Sequence, residues 1–473
     1  MKSTAMRDKI FFRSVIIWLL LTHQVVRAQN IVSNPGFEAW PNFPGPWLVG
    51  GPVASMQPDV TVDTIVKYEG QRGLKMKSIN PNGNGRIFQN VKVTGGSNYL
   101  FSARFMTKDI SSIDKSVLIK ITWLKGKEKV GYNYIYDITN ENDGWFLASG
   151  KVKAMESANS ADISLEFRWA NGTVWWDDIH LEKCAADLPR NVKVGTVYWR
   201  PPGPTVDQNI KTMAALLDQA GKSHCDIVCL PEGWVTCNTG LAMQKVEENT
   251  LKGGASSMMA EKAKQYKMYI VSGLYHWEGD TLYNIAALYD RQGKIQNVYR
   301  KVQLPDSEAE QGAVPGNELP VFTTDFGKIG ILICWDYAYP EVPRAMALKG
   351  AEMLLCPIWG DIRGGNADIS RLIARSRAID NGVFFVSAIY DGYSMIIDPS
   401  GKVLQESNKQ GTLLTSTIDL NFNPAWDWIG NAGRGVWKGV WRKDRRSDIF
   451  QILGNYKSSA SLDGHDAGLK NKN

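Results

Sequence analysis

The chain has 473 residues, of which 44% are hydrophobic and 22% charged, with a formal net charge of +6. That length exceeds one ordinary core and sets two domains as the starting expectation, while the composition is that of a folded globular protein. So small a positive excess, with no Lys/Arg run inside an aromatic-rich motif, excludes nucleic acid as the expected partner.

At the N-terminus, Lys2, Arg7, Lys9 and Arg13 precede the apolar run Val15-Ile16-Ile17-Trp18-Leu19-Leu20-Leu21, and Val26-Arg27-Ala28 offers a small-residue cleavage site. This is the layout of a signal peptide over residues 1–28, cut after Ala28, and it predicts a secreted or periplasmic protein. The run is short for a membrane span. Cys225, Cys229, Cys334 and Cys356 lie in or at the ends of apolar strand-like runs, where cysteine behaves as a small hydrophobe. At most one disulfide is therefore expected, even in an exported chain.

Residues 29–184 read as all-β. Arg86-Ile87-Phe88-Gln89-Asn90-Val91-Lys92-Val93 and Tyr99-Leu100-Phe101-Ser102-Ala103 alternate apolar with polar, and Gly/Asn/Asp turns separate such runs. Asn171-Gly172, between Phe167-Arg168-Trp169 and Val174-Trp175-Trp176, predicts a hairpin. Asn82 to Gly85 is glycine-rich but lacks the Lys-Ser/Thr of a phosphate loop, so it reads as a turn. Strands at this spacing predict a β-sandwich or jelly roll. Asn34-Pro35-Gly36-Phe37-Glu38 and Trp175-Trp176-Asp177-Asp178-Ile179-His180-Leu181 resemble the opening and closing strands of galactose-binding-like carbohydrate-binding modules. The resemblance implies glycan binding, with exposed aromatics such as Trp40 and Trp47 packing on sugar faces. It also implies a structural calcium held by Glu38 and Asp177, against the alternative that these acids cap turns.

Residues 185–190 read as a linker. From 191 to 455 strand-like runs alternate with helical periodicity, as in Thr205 to Lys222 and Ser256 to Tyr266, which predicts an α/β domain. The Ser/Lys/Asn/Gly-rich stretch 456–473 has little to bury and is expected to be a disordered tail.

Three apolar runs in the α/β region end in reactive side chains: Cys225-Asp226-Ile227-Val228-Cys229-Leu230-Pro231-Glu232, Val298-Tyr299-Arg300-Lys301 and Gly330-Ile331-Leu332-Ile333-Cys334-Trp335-Asp336. A thiol attacks a carbonyl or nitrile carbon once a base takes its proton and a positive field steadies the thiolate. Glu232 can be that base and proton shuttle, and Lys301 the field. Lys301 can also meet a tetrahedral oxyanion together with the backbone N–H of Trp335. The set is complete for amide or nitrile hydrolysis without a metal or cofactor. His180, His224, His276 and His465 offer neither a Cys-His-Asn arrangement nor metal-ligand spacing. Arg371, Arg375 and Arg377 read either as a carboxylate-binding group or as the paired basic face of a helix.

These segments, with Tyr339-Pro340-Glu341, Arg344, Lys349-Gly350-Ala351-Glu352 and Pro315-Gly316, resemble the nitrilase superfamily of carbon–nitrogen hydrolases over residues 191–455. The resemblance implies an αββα sandwich, with Glu232 as general base, Lys301 as oxyanion-stabilising lysine and Cys334 as nucleophile. It further implies a homodimer or larger assembly and a second glutamate before Pro315-Gly316. Glu308 and Glu310 compete for that place, and spacing to Pro315-Gly316 in amidase-like members favours Glu308. Asp336 after Trp335 points to a small-molecule amide or carbamoyl-amine as substrate. A nitrilase or an acyltransferase with the same triad, and a non-catalytic carbohydrate- or ligand-binding protein, are the alternatives.

Overall fold

The computed structural model describes residues 29–39, 45–202, 205–360, 367–426, 435–446 and 449–450. The expected signal peptide, Trp40, most of the loop between Trp359 and Asp368 and the tail 456–473 lie outside the described residues. Among the described residues no helix is long and apolar enough to cross a membrane.

Residues 29–184 form two antiparallel sheets. One runs Leu48–Gly50, Asn84–Lys92, Ser160–Arg168, Val117–Lys125 and Glu128–Ile135; the other runs Asp59–Asp63, Gly73–Ser78, Gly172–Cys184, Asn98–Lys108, Trp145–Lys153 and Asp137–Asn140. Along Asn84–Lys92, Ile87, Gln89 and Val91 are buried while Arg86, Phe88 and Asn90 are more open, the period-two pattern of a half-buried strand. The inward residues of both sheets, among them Phe101, Phe105, Trp123, Leu165 and Trp176, close one core.

Two expectations for this region need correction. The Asn171-Gly172 turn does not make a hairpin: Ser160–Arg168 and Gly172–Cys184 belong to different sheets, so the turn crosses between layers. Trp169 is left-handed (φ 53°), and at Gly172 (φ 125°) a side chain would meet the Lys108 carbonyl oxygen at 2.6 Å. Trp47 is not a free sugar platform. It is fully buried, packs on Phe37 with ring centroids 5.5 Å apart and donates from Nε1 to the Asn34 carbonyl, 3.1 Å. Its indole closes one end of the sandwich.

Glu38 and Asp177 both engage the 68–72 loop. Glu38 Oε1 accepts from the N–H of Gln71 (2.7 Å) and Arg72 (3.0 Å), and Asp177 Oδ2 from Tyr68 (2.8 Å) and Glu69 (3.2 Å). Asp177 Oδ1 accepts from Asp178 N–H at 2.8 Å. Each of these carboxylate oxygens accepts from backbone N–H groups, which is turn-capping geometry. Among the described residues no group of three or more His, Cys, Asp or Glu could hold a metal. All six cysteines are unpaired.

The second domain is α/β. One sheet runs Ile295–Arg300, Thr281–Tyr289, Tyr269–Glu278, Ile227–Cys229, Asn191–Tyr198 and Thr412–Asp419; the other runs Val321–Thr323, Lys328–Ile331, Met353–Ile358, Phe384–Ile389, Ser394–Ile397 and Val403–Ser407. Each sheet has parallel strands at its centre. Alternation again decides the layers. Ile227, Cys229 and Val271 face a core shared with Ile329, Ile331 and Phe385 of the other sheet. Val228 and Ile270 face the helices Val206–Lys222 and Gly254–Tyr266 through Met213, Leu217 and Met259. Thr196 Oγ1 donating to the Ser387 carbonyl (2.8 Å) and Ser394 Oγ to that of Val197 (2.9 Å) tie the sheets together.

The stretch after residue 424 departs from the expected boundary, which kept everything from 191 to 455 in the α/β domain. Ala425–Trp426 pairs with Gly435–Val436, and the latter lies parallel to Glu128–Ile135 of the sandwich. An exposed edge strand offers unpaired backbone groups, and this segment covers them. The helix Trp437–Lys443 follows against the same strand, with Lys443 Nζ 3.6 Å from Asp114.

Candidate active site

The ends of the central strands carry the reactive side chains. Glu232 follows Ile227–Cys229, Lys301 follows Ile295–Arg300 and Cys334 follows the run through Ile333, so separate strands deliver them to one end of the layered core. Glu232 and Lys301 are completely buried and Glu308 is 4% exposed. Lys301 Nζ donates to Glu232 Oε1 (2.9 Å) and to Glu308 Oε1 (2.6 Å). Glu310 is exposed at the end of the short helix Asp306–Ala309. Of the two competing glutamates, the one against the ammonium is Glu308.

Local backbone geometry explains these placements. Gly316 N–H donates to the Lys301 carbonyl (2.8 Å), and Lys301 N–H donates to the Asn284 carbonyl (2.9 Å), so the Pro315-Gly316 turn holds the lysine at its strand end. Glu232 Oε2 accepts from the Trp359 N–H at 2.7 Å, and Tyr390 OH donates to the Glu232 carbonyl. Next to Glu232, Gly233 (φ 55°) leaves room for Tyr275, whose ring a Cβ would approach to 2.5 Å.

Cys334 adopts φ 44°, a left-handed conformation that non-glycine residues seldom take and that recurs at functional turns. The 3-10 turn Cys334–Ala338 follows immediately. Asp336 pins it: Oδ2 accepts from Ile333 N–H (2.9 Å) and Tyr299 OH (2.7 Å), and Oδ1 from Gln303 N–H (2.8 Å). The carboxylate thus joins the cysteine turn to the lysine strand. Burial pushes Asp336 up to about 6 against those donors.

The charges pull on one another. Burial works against the Lys301 ammonium, yet Glu232, Cys334 and Glu308 hold it above its ordinary value. Burial and the nearby Glu232 charge push Glu308 up, with Lys301 and Asn284 opposing. One cation between two carboxylates cannot satisfy both, so both partners of the Lys301–Glu308 pair move upward. Burial, then Glu232, pushes the Cys334 thiol up to about 12, and Lys301 and the backbone at Trp359 and Gly360 pull it back. The resting sulfur is a thiol that must lose its proton when it attacks.

The side chains of the other candidates have partners outside this cluster. Trp335 is 44% exposed, its indole N–H donating to Tyr339 OH (3.1 Å). His276 Nε2 sits 3.9 Å from Glu278, and burial lowers its pKa. Arg371 pairs with Glu406 (2.5 Å), Arg375 donates to the Gly401 carbonyl (2.9 Å), and Arg377 donates to the carbonyls of Tyr337 (2.7 Å) and Ala338 (3.0 Å). These arginines build the helix surroundings rather than a carboxylate pocket. The loop beginning at Trp359 is read from the sequence as lining the pocket, whereas Asn284, Tyr275 and Tyr390 are not singled out there. Asn284 alone left a signal, a polar residue in the apolar run Ile285-Ala286-Ala287-Leu288 that follows it.

Residues 194–426 match the family model for carbon-nitrogen hydrolase. A probable nitrilase of Schizosaccharomyces pombe is 29% identical over 249 residues, 48% of this chain and 89% of that protein. An omega-amidase of Xenopus laevis is 26% identical, over 46% of this chain and 86% of its own. The crystal structure of a carbon-nitrogen hydrolase from Helicobacter pylori G27, 23% identical, covers 56% of this chain and 98% of that one with a TM-score of 0.48.

Proposed function

We propose that the protein is a carbon–nitrogen hydrolase that cleaves a non-peptide amide or carbamoyl-amine through a thioester on Cys334. The observation that carries this reading is the fully buried Lys301 ammonium held between Glu232 and Glu308, beside a cysteine in a left-handed turn. Glu232 takes the Cys334 proton as sulfur attacks the carbonyl carbon. Negative charge gathers on the carbonyl oxygen, where the third N–H of Lys301 and the backbone N–H of Trp335 receive it. The carbon–nitrogen bond breaks as Glu232 returns the proton to the departing amine, leaving an acyl thioester. Glu232 then takes a proton from water, whose oxygen attacks the thioester. The acid is released and the thiol regains its proton. No step calls for a metal or cofactor. A panel of small amides and carbamoyl-amines, assayed for ammonia or amine release, tests the reading. Release with Glu232, Lys301 and Cys334 intact and none from Cys334→Ala supports it, whereas nitrile hydrolysis alone favours a nitrilase.

The layering, with helices outside two face-to-face sheets, is read as an αββα sandwich, and residues 29–184 as a jelly roll. The latter domain is proposed to bind a glycan. Support comes from a cavity of about 330 Å³ on the outer sheet face, lined by Asn84, Arg86, Lys120, Glu166 and Arg168. Arg86 stacks on Phe88 there, 4.4 Å from the ring centroid. A glycan panel against the full chain and Arg86→Ala tests it. A structural calcium at Glu38 and Asp177 is the alternative to turn capping, and a rise in Tm on adding calcium would support it. Export is read from residues 1–28, and N-terminal sequencing from the native cell should begin at Gln29. A homodimer through the helical layer is proposed from the exposed Trp335, Tyr339 and Leu348 beside and on the helix Glu341–Leu348, and sedimentation measures it.

A further inference from the structure

Asn284 lies in the strand Thr281–Tyr289, opposite Tyr275 of the neighbouring strand and only 1% exposed. Its amide nitrogen is 2.5 Å from Glu232 Oε1 and 3.1 Å from both oxygens of Glu308. Its amide oxygen, equally buried, has no hydrogen-bond partner among the described residues. A buried acceptor left unpaired is costly, and an amide ordinarily rotates to avoid it. Here rotation would aim the oxygen at two carboxylates. The orientation is therefore fixed by charge: two N–H groups on one nitrogen serve two acids that Lys301 alone cannot satisfy.

We propose that Asn284 is a positioning residue, a neutral clamp that holds Glu232 and Glu308 on either side of the Lys301 ammonium so that Glu232 is presented to the Cys334 thiol as a ready base. The proposal rests on the thiol mechanism above. Lys301 donates to both acids, but its third N–H is needed elsewhere, and a second cation at position 284 would pull the proton-accepting carboxylate too far toward its ionised form. An amide donates without adding charge. It favours the ionised form of Glu308, as a donor to a carboxylate does, and it keeps two like charges at a set separation. The other titratable groups facing this cluster are Cys334, Tyr275, Tyr390 and Asp336.

The test uses a change that keeps the shape. Asn284→Asp is isosteric and leaves the backbone carbonyl that receives Lys301 N–H, but replaces the donor by a third acid. The probe is iodoacetamide, whose iodide leaves as the carbon–sulfur bond forms, read by mass spectrometry of the Cys334 peptide from about pH 5 to about pH 9. Half-buried Cys184, far along the chain in the sandwich, is the internal control. Alkylation of Cys334 should rise with pH as the buried thiol becomes able to give up its proton. In Asn284→Asp that rise should move up by at least about one pH unit, with Cys184 unchanged. Asn284→Ala removes the donor without adding charge. It should move the rise in the same direction by less, and it serves if the Asp variant does not fold. A folded variant whose Cys334 profile overlays the wild type overturns the positioning role while leaving the thiol mechanism standing. A wild-type Cys334 that alkylates no faster than Cys184 at any pH overturns the mechanism itself, and the clamp with it.

Discussion

Each domain contains a cluster of charges around a buried acid, and the two are built differently. In the sandwich, Glu166 is 1% exposed and meets Lys120 Nζ (3.0 Å) and Arg168 from adjacent positions on an outer sheet face. One acid faces two cations, in mid-strand and beside an open cavity. In the α/β domain, two acids face one cation at strand ends, all buried. The first arrangement can relax toward solvent and sets a cation against each oxygen of its acid. The second cannot, and burial with the neighbouring Glu232 charge pushes Glu308 toward protonation. Surplus negative charge around a fixed ammonium is what a proton-shuttling base needs, whereas a cluster with a cation against each acid oxygen serves to bind or to hold.

The comparison can be broken by substitution. Cys334→Ala should fold normally and lose turnover by about 10⁴-fold or more, since no other group can form the thioester; activity in that variant removes the covalent step. Lys301→Met leaves two acids without their cation and should cost about 3–5 kcal/mol of stability along with activity. Lys120→Met, whose acid keeps Arg168, should cost about 1 kcal/mol. Equal losses in urea melts of the two would erase the distinction drawn between the clusters. Glu308→Gln should lower kcat by about 10²-fold with little change in KM, because the oriented ammonium matters most in the transition state. Exposed Glu310→Gln should change it by less than about twofold. A larger effect at Glu310 would reverse the assignment.

The smallest effect is shared by both regions. Burial pushes Asp177 and Asp336 up to about 6, above the unfolded carboxylate value of about 3.9. A raised folded value means the native state holds the proton more tightly. Each acid's contribution is therefore fully present below the unfolded value and is lost as pH rises through about 6. Tm measured against pH should flatten over that window in Asp177→Asn and in Asp336→Asn. An unchanged slope in both variants would show that these acids do not carry it.

The sequence made the strand ends legible because apolar runs finishing in Glu232, Lys301 and Cys334 are local patterns. Their mutual approach followed from the order of strands, and the structure brings all three together with Glu308. What stayed hidden was long-range. Trp359 meets Glu232 across 127 residues and Tyr299 meets Asp336 across 37, and no spacing rule encodes such pairs. Asn171-Gly172 marked a turn but carried no information on which sheet the next strand would join. Trp47 stood in a Pro/Gly-rich stretch that suggested exposure, while the fold needed a large ring beneath Asn34. The strands Ala425–Trp426 and Gly435–Val436 are too short to show any period, so the return of the chain to the sandwich left no trace in the sequence.

The central claim is that Cys334 carries the acyl group, and intact-protein mass spectrometry under turnover with an amide that the panel shows to be hydrolysed tests it most directly. The account predicts a mass increase equal to the acyl group in the wild type, mapped by peptide digestion to Cys334 and absent from Cys334→Ala. An adduct on any other residue, or amide hydrolysis by Cys334→Ala at the wild-type rate, would contradict it.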